Sequence, residues 1–270
     1  MSNTKEGSDM AMTSEGAGSR DPATAGGAGH GGHDEGWVTK LPQGPFDLSG
    51  ELGRWREIRN VVMPVEVIAG MDRGNAELAG SAVLDRVPQL GSRAPDFVLP
   101  DADGRPVSLA RMLERGPVVV SFYRGIWCPF CNLELRALQN HLPQITELGA
   151  SLVAISEMTP DNSMSLVERL DLTYEVLTDA GLVVADRYGL AWELPDHLRD
   201  LYARLGHPVS QFNGGGRHIL PIPGTFVVDT GGIIRFAYAD ANYMYRADPV
   251  DIVSVLERLA TAGSPAGRAA

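Results

Sequence analysis

Val118-Val-Val-Ser-Phe-Tyr-Arg-Gly-Ile-Trp-Cys-Pro-Phe-Cys131 decides how the rest of the chain is read, because it carries the only two cysteines among 270 residues. The apolar run Val118 to Tyr123, bounded by Gly116-Pro117 and Gly125, has the length and content of a short buried strand. From Pro129 onward, Leu135, Leu138, Leu142 and Ile145 recur at helical spacing, and a proline suits a first helical position, where its missing N–H costs nothing. Cys128 and Cys131 therefore belong at the start of a helix. Unpaired N–H groups and the positive end of the helix dipole favour negative charge there. In Cys-x-x-Cys settings of this kind a thiol pKa falls from about 8.5 to roughly 3.5–7.5. Cys128, expected to face solvent, is the expected nucleophile. Cys131 follows one turn later, with β-carbons about 5–6 Å apart at that spacing, and a disulfide then needs only modest local adjustment. The competing readings are two inert buried thiols or half of a zinc site. No second cysteine pair or suitably spaced histidine pair completes a metal site.

Composition narrows the function further. The chain is 44% hydrophobic and 21% charged, ordinary values for a soluble globular protein. No apolar run reaches membrane-spanning length, and no basic-then-apolar leader is expected at the N-terminus. Two cysteines in so long a chain are no disulfide scaffold, so redox chemistry in a reducing cytoplasm is expected. The net charge of −11 disfavours nonspecific binding to nucleic acid or to anionic membranes.

Outward from the cysteines, residues 1–44 are rich in Gly, Ala, Ser and Thr and read as a disordered tail. His30-Gly-Gly-His33 within it reads as solvated rather than metal-binding. Residues 45–87 read as a helical extension packed on the main domain, with a dimer contact or a lid over the site as further options. Ser49 is its expected cap and Leu52, Trp55, Ile58 and Val62 its first apolar stripe. Pro64 separates this from a second helix carrying Val65, Ile68, Met71 and Leu78, against which Gly70 and Gly74 count. Residues 88–262 form the main domain and 263–270 a loose tail.

Within the main domain, Ser151–Ser156 and Tyr174–Thr178 read as strands, alternating with helices over Pro160–Leu170 and Gly181–Gly189. Strands alternating with helices imply an α/β fold whose largely parallel sheet is covered on both faces. Leu190 to Leu220 is an insertion. Leu198, Leu201, Tyr202 and Leu205 share one face of a short helix from Pro195, and Asn213-Gly-Gly-Gly-Arg-His218 reads as a mobile loop with His218 at the surface. Leu220-Pro-Ile-Pro-Gly-Thr-Phe-Val-Val-Asp229 ends in a strand, Thr230-Gly-Gly232 makes a tight turn and Ile233 to Tyr238 pairs back antiparallel, and Asp248-Pro249 opens a final helix with Ile252, Val255 and Leu259 inward.

The order strand, Cys-x-x-Cys helix, strand, helix, proline-led hairpin and final helix resembles the thioredoxin fold. Gly91-Ser-Arg-Ala-Pro-Asp-Phe-Val-Leu-Pro-Asp-Ala-Asp-Gly104 resembles the entry segment of the alkyl hydroperoxide reductase/thiol-specific antioxidant (AhpC/TSA) family, the peroxiredoxins. Phe122-Tyr-Arg-Gly-Ile-Trp-Cys-Pro-Phe-Cys-Asn132 and Leu220-Pro-Ile-Pro-Gly-Thr-Phe226 are similar to a branch of it with a thioredoxin-style Cys-x-x-Cys. The resemblance covers residues 88 to 262. It implies a thioredoxin-like, peroxiredoxin-type mixed sheet flanked by helices, with Cys128 as peroxidatic and Cys131 as resolving cysteine.

By the same resemblance Pro223 matches a proline with a cis peptide bond beside the thiols, which would leave the Ile222 backbone free to align a substrate strand. Arg246 matches the arginine that steadies the thiolate, with Arg124 a second candidate; a plain surface salt bridge is the alternative for each. Trp127 and Pro129, together with Ile222, Pro223 and Thr225, are the expected substrate-binding positions. No cofactor or metal is expected. The implied partners are a peroxide or disulfide substrate, a thioredoxin-like or low-molecular-weight thiol reductant, and a second copy in a homodimer. One position departs from the pattern. Gly125 stands three residues before Cys128, where typical peroxiredoxins carry the threonine or serine whose hydroxyl bonds the peroxide. Peroxide reduction and disulfide exchange both stay open, beside a non-enzymatic redox-sensing role.

Overall fold

The computed structural model describes residues 41–42, 44–213 and 217–263. The expectations for the first forty residues (His30 and His33 among them), for Gly214 to Gly216 and for residues beyond 263 lie outside the described residues.

Strand β3 (Val118–Phe122) is the centre of a five-stranded mixed sheet. It pairs in parallel with β4 (Ser151–Ser156), which pairs in parallel with β5 (Glu175–Thr178). On its other side it pairs antiparallel with β8 (Gly224–Val228), which carries β9 (Ile234–Ala239) at the edge. The expectation of a largely parallel sheet holds for one half only, because the final hairpin reverses direction. Every residue of β3 and β8 is buried. Successive side chains of a strand point to opposite faces, so Val119 joins one core while Val118, Val120 and Phe122 join the other.

The first core is filled by helix α4 (Pro129–Glu147), with α1 (Leu48–Val62), α5 (Pro160–Leu170) and α9 (Pro249–Gly263) contributing Leu52, Leu166 and Ile252. The second is closed by α3 (Leu109–Leu113) and α6 (Val183–Arg187), through Leu109, Met112 and Val184. The short ribbon β1 (Val98–Pro100) and β2 (Pro106–Ser108) lies at this entry segment. No helix among the described residues is long and apolar enough to cross a membrane.

Two features of the extension differ from expectation. Asp47, not Ser49, caps α1, accepting from the Ser49 and Gly50 N–H groups at 3.1 and 3.0 Å. The Ser49 hydroxyl instead donates to Asp248 at the foot of α9, 3.2 Å away. Gly70 and Gly74 sit inside α2 (Val65–Ala79) because the helix comes close to α7 (Asp196–Arg204) of the insertion. A β-carbon at Gly74 would meet Leu198 Cδ1 at 2.4 Å, and one at Gly70 would meet Leu201 Cδ2 at 3.1 Å. Arg59 ties the two helices together through Asp72 at 2.6 Å.

The described residues of the insertion form a folded layer. Its β6 (Ala191–Glu193) pairs antiparallel with β7 (Ile219–Pro221), with α7 and the one-turn α8 (Val209–Phe212) between them. Its packing against α2 joins the extension to the main domain.

Candidate active site

Strand β3 ends at Phe122, and six residues later Cys128 occupies the N-cap of α4 with extended backbone (φ −97°, ψ 108°), Pro129 following at the first helical position. The intervening loop is held from several sides. Cys128 N–H donates to the Gly125 carbonyl at 3.1 Å, the buried Asn132 amide donates to the Ile126 carbonyl at 2.6 Å, and Ile126 N–H donates to Met158 Sδ at 3.1 Å. Gly125 itself has φ +152°, and a β-carbon there would lie 2.6 Å from Trp127 Nε1. The Trp127 indole fills the place of any side chain at 125. The departure at Gly125 is thus built into the loop.

Cys128 is only 1% exposed and Cys131 not at all. The expectation of a solvent-facing Cys128 is corrected accordingly. The residue lies in the wall of a cavity of about 270 Å³, together with Trp127, Pro129 and Phe130 of the Cys-x-x-Cys turn. The opposite walls come from α1 and α2 (Trp55, Ile58, Met71) and from the insertion (Tyr202, His207).

Behind the cysteines runs a buried chain of charges. Arg246 Nη2 donates to Cys131 Sγ at 3.1 Å, while its Nε pairs with Glu134 Oε2 at 2.6 Å. Thr225 donates from its hydroxyl to Glu134 Oε1 at 3.2 Å. The Arg124 backbone N–H also points at Cys131 Sγ, 3.4 Å away. The Arg124 guanidinium lies over Tyr243, Trp127 and Tyr202, at 4.3, 4.9 and 5.3 Å from the ring centroids, and hydrogen-bonds the Tyr202 hydroxyl. Both arginines are buried, which excludes the surface salt-bridge reading of either.

These neighbours separate the two thiols. Burial alone would push Cys128 up, but the hydrogen bond from Cys131 and the charges of Arg124 and Arg246 bring it down to about 6. Burial, together with the hydrogen bond to Cys128 and the charge on it, pushes Cys131 well up. Burial also raises Glu134, to about 7, although Arg246 pulls the other way. The two sulfurs are thus pushed in opposite directions, Cys128 toward the thiolate and Cys131 toward the thiol.

Of the residues singled out in the sequence, Trp127, Pro129 and Arg124 line the cavity with Cys128. Ile222 and Pro223 line a separate crevice of about 20 Å³ that also touches Arg124. The Ile222 N–H donates to the Leu190 carbonyl at 2.7 Å, so it is not free to align a substrate strand. Thr225 is buried against Glu134 rather than open to a substrate. Glu134 escaped the sequence reading. The signal was there: a carboxylate three residues after Cys131, on the same face of a helix whose neighbours Leu135 and Leu138 are core.

The AhpC/TSA family model matches residues 90–237. The chain is 27% identical over 164 residues to "Peroxiredoxin Q, chloroplastic" of Sedum lineare, covering 61% of this chain and 75% of that one. A Mycobacterium tuberculosis protein described as a peroxiredoxin is 31% identical over 147 residues, 54% of this chain and 82% of its own. The chain spans 82% of the length of that relative but only 48% of the peroxiredoxin Q of Gentiana triflora. The crystal structure of Peroxidoxin BcpB from Mycobacterium tuberculosis superposes with a TM-score of 0.50 at 23% identity, covering 63% of this chain and 97% of that one, a likeness of fold. Helices α1 and α2 precede the matched segment. The chain belongs to the AhpC/TSA family.

Proposed function

We propose that the protein is a thiol peroxidase in which Cys128 is the peroxidatic and Cys131 the resolving cysteine. The observation that carries this reading is the placement of the pair: Cys128 at a helix start in the wall of a cavity that Arg124 also lines, and Cys131 one turn deeper against Arg246. The Cys128 thiolate attacks the terminal oxygen of a hydroperoxide ROOH, and the O–O bond breaks. Sulfur becomes sulfenic acid, and the departing RO⁻ takes up a proton as ROH. Cys131 then attacks that sulfur, expelling the hydroxyl, which leaves as water with the Cys131 proton. Two electrons from a thioredoxin-like or low-molecular-weight thiol return the disulfide to the dithiol. Two cysteines in so long a chain, with a thiol donor, fit a reducing compartment such as the cytoplasm.

Arg124 and Arg246 stabilise the thiolate, and Arg124, which lines the cavity, also faces the negative charge developing on the leaving oxygen. Exchange with a protein disulfide is less well supported, since the Ile222 backbone that would pair with a substrate strand is bonded to Leu190. Stopped-flow oxidation of reduced protein, followed by Trp127 fluorescence, tests the proposal. Rate constants with hydrogen peroxide and with an organic hydroperoxide should both exceed that of free cysteine thiolate. Neither doing so, together with steady turnover in insulin-disulfide reduction, would replace it with the exchange reading.

A further inference from the structure

We infer that the helical extension is a specificity element, forming with the inserted α7 an apolar site that takes the organic tail of a bulky hydroperoxide and places its O–O bond at Cys128. The inference rests on the peroxidase reading and adds to it which peroxide is chosen and by what.

Three observations carry it. The cavity beside Cys128 is far larger than hydrogen peroxide needs. At about 270 Å³ it exceeds the volume, about 150 Å³, of an apolar cavity known to take up benzene. Much of its wall lies outside the family-matched segment 90–237, in Trp55, Ile58, Val62 and Met63 of α1 and the turn after it, and in Met71 of α2. Its lining is largely apolar and aromatic, with Arg59, Arg124 and His207 as its charged and imidazole side chains, and Arg59 is already held by Asp72 at 2.6 Å. The Tyr243 hydroxyl donates to Met71 Sδ at 3.3 Å and the Tyr202 hydroxyl is bonded to Arg124. Position 125, where a hydroxyl would hold the peroxide, is a glycine that Trp127 keeps free of side chain.

With polar anchoring this thin, binding energy must come from apolar contact with the part of the substrate that does not react, and that energy orients the part that does. An aryl-alkyl or medium-chain hydroperoxide can supply it; hydrogen peroxide cannot. Exposed Val61 and Val65 flank Val62 at the α1–α2 turn, so the apolar surface continues outward from the lining.

The test compares cumene hydroperoxide with hydrogen peroxide on the full chain. In the wild type, kcat/KM for cumene hydroperoxide should exceed that for hydrogen peroxide by about tenfold or more. Ile58→Trp and Met63→Trp, which fill the cavity from the extension, should bring that ratio down toward one. Should both variants misfold, a second measurement stands on the wild type alone. Cumyl alcohol, the unreactive product, should slow iodoacetamide alkylation of Cys128 in a saturable way. A wild-type ratio of one or less, a ratio the variants leave intact, or no protection by cumyl alcohol would overturn the inference while leaving the peroxidase reading standing. Reaction with both peroxides no faster than free thiolate would remove both.

Discussion

Arg246 reaches two buried partners at once, Cys131 Sγ at 3.1 Å and Glu134 Oε2 at 2.6 Å. The guanidinium therefore divides its charge between a carboxylate that stabilises it and the sulfurs whose chemistry it serves. Removing it alone, as in Arg246→Met, leaves Glu134 buried without its cation, a loss of about 3–5 kcal/mol for a broken buried pair. The double variant Arg246→Met/Glu134→Leu removes both charges and should recover most of that stability. It should not recover Cys128 reactivity, because the cation is still gone. Urea unfolding and iodoacetamide alkylation of the two variants separate these effects; equal recovery of both would mean that Arg246 acts on the thiols only by keeping the fold.

The pH dependence of alkylation follows from the same cluster. The Cys128 thiol, lowered from 9.0 to about 6, should be protonated and slow below that pH and reach a plateau above it. Cys131, raised instead, should stay unreactive across the same range. Glu134, raised to about 7, is mostly neutral where Cys128 titrates, so Glu134→Gln should leave the Cys128 midpoint close to that of the wild type. Mass-spectrometric counting of alkyl groups at each cysteine gives the two profiles directly. A Cys128 midpoint near 9 would show that the arginines do not set its charge.

Much of this arrangement was legible in the sequence, and the parts that were not share a cause. The β3–α4 junction and the final hairpin follow from local signals: apolar run, proline at the first helical position, turn glycines. Glu134, the covered Ile222 backbone and the occupied place beside Gly125 depend on contacts between distant segments. Gly70 and Gly74 illustrate the difference. Read locally, two glycines weaken a helix by roughly 1 kcal/mol each. In the fold they admit Leu198 and Leu201 of α7, sequence-distant partners that no local window contains.

Gly125→Thr would supply the hydroxyl found in typical relatives, yet it should lower activity. The added β-carbon meets Trp127 Nε1 at 2.6 Å, and φ +152° is unfavourable for any side chain. Backbone strain of this kind costs about 1–3 kcal/mol, and the displaced indole would disturb the loop that positions Cys128. Thermal unfolding should therefore shift downward together with the peroxide rate constant. A stable variant that reacts faster than the wild type would show the loop to be more adaptable than its contacts imply.

The contact between α2 and α7 offers a way to disturb the cavity without touching its lining. Gly74 faces Leu198, and neither lines the space beside Cys128, but they hold together two helices that do so through Met71 and Tyr202. A valine at position 74 needs room that Leu198 already fills at 2.4 Å, so Gly74→Val should push α2 away from α7 and widen the cavity. The family-matched segment supplies both cysteines, Arg124 and Glu134, and of the contacting pair it contains Leu198 but not Gly74. The expected result is a higher KM for cumene hydroperoxide with a smaller change in the rate with hydrogen peroxide, and earlier proteolytic cleavage in residues 48–79. Equal losses toward both peroxides would instead tie the extension to the stability of the whole domain, with no separate part in choosing the substrate.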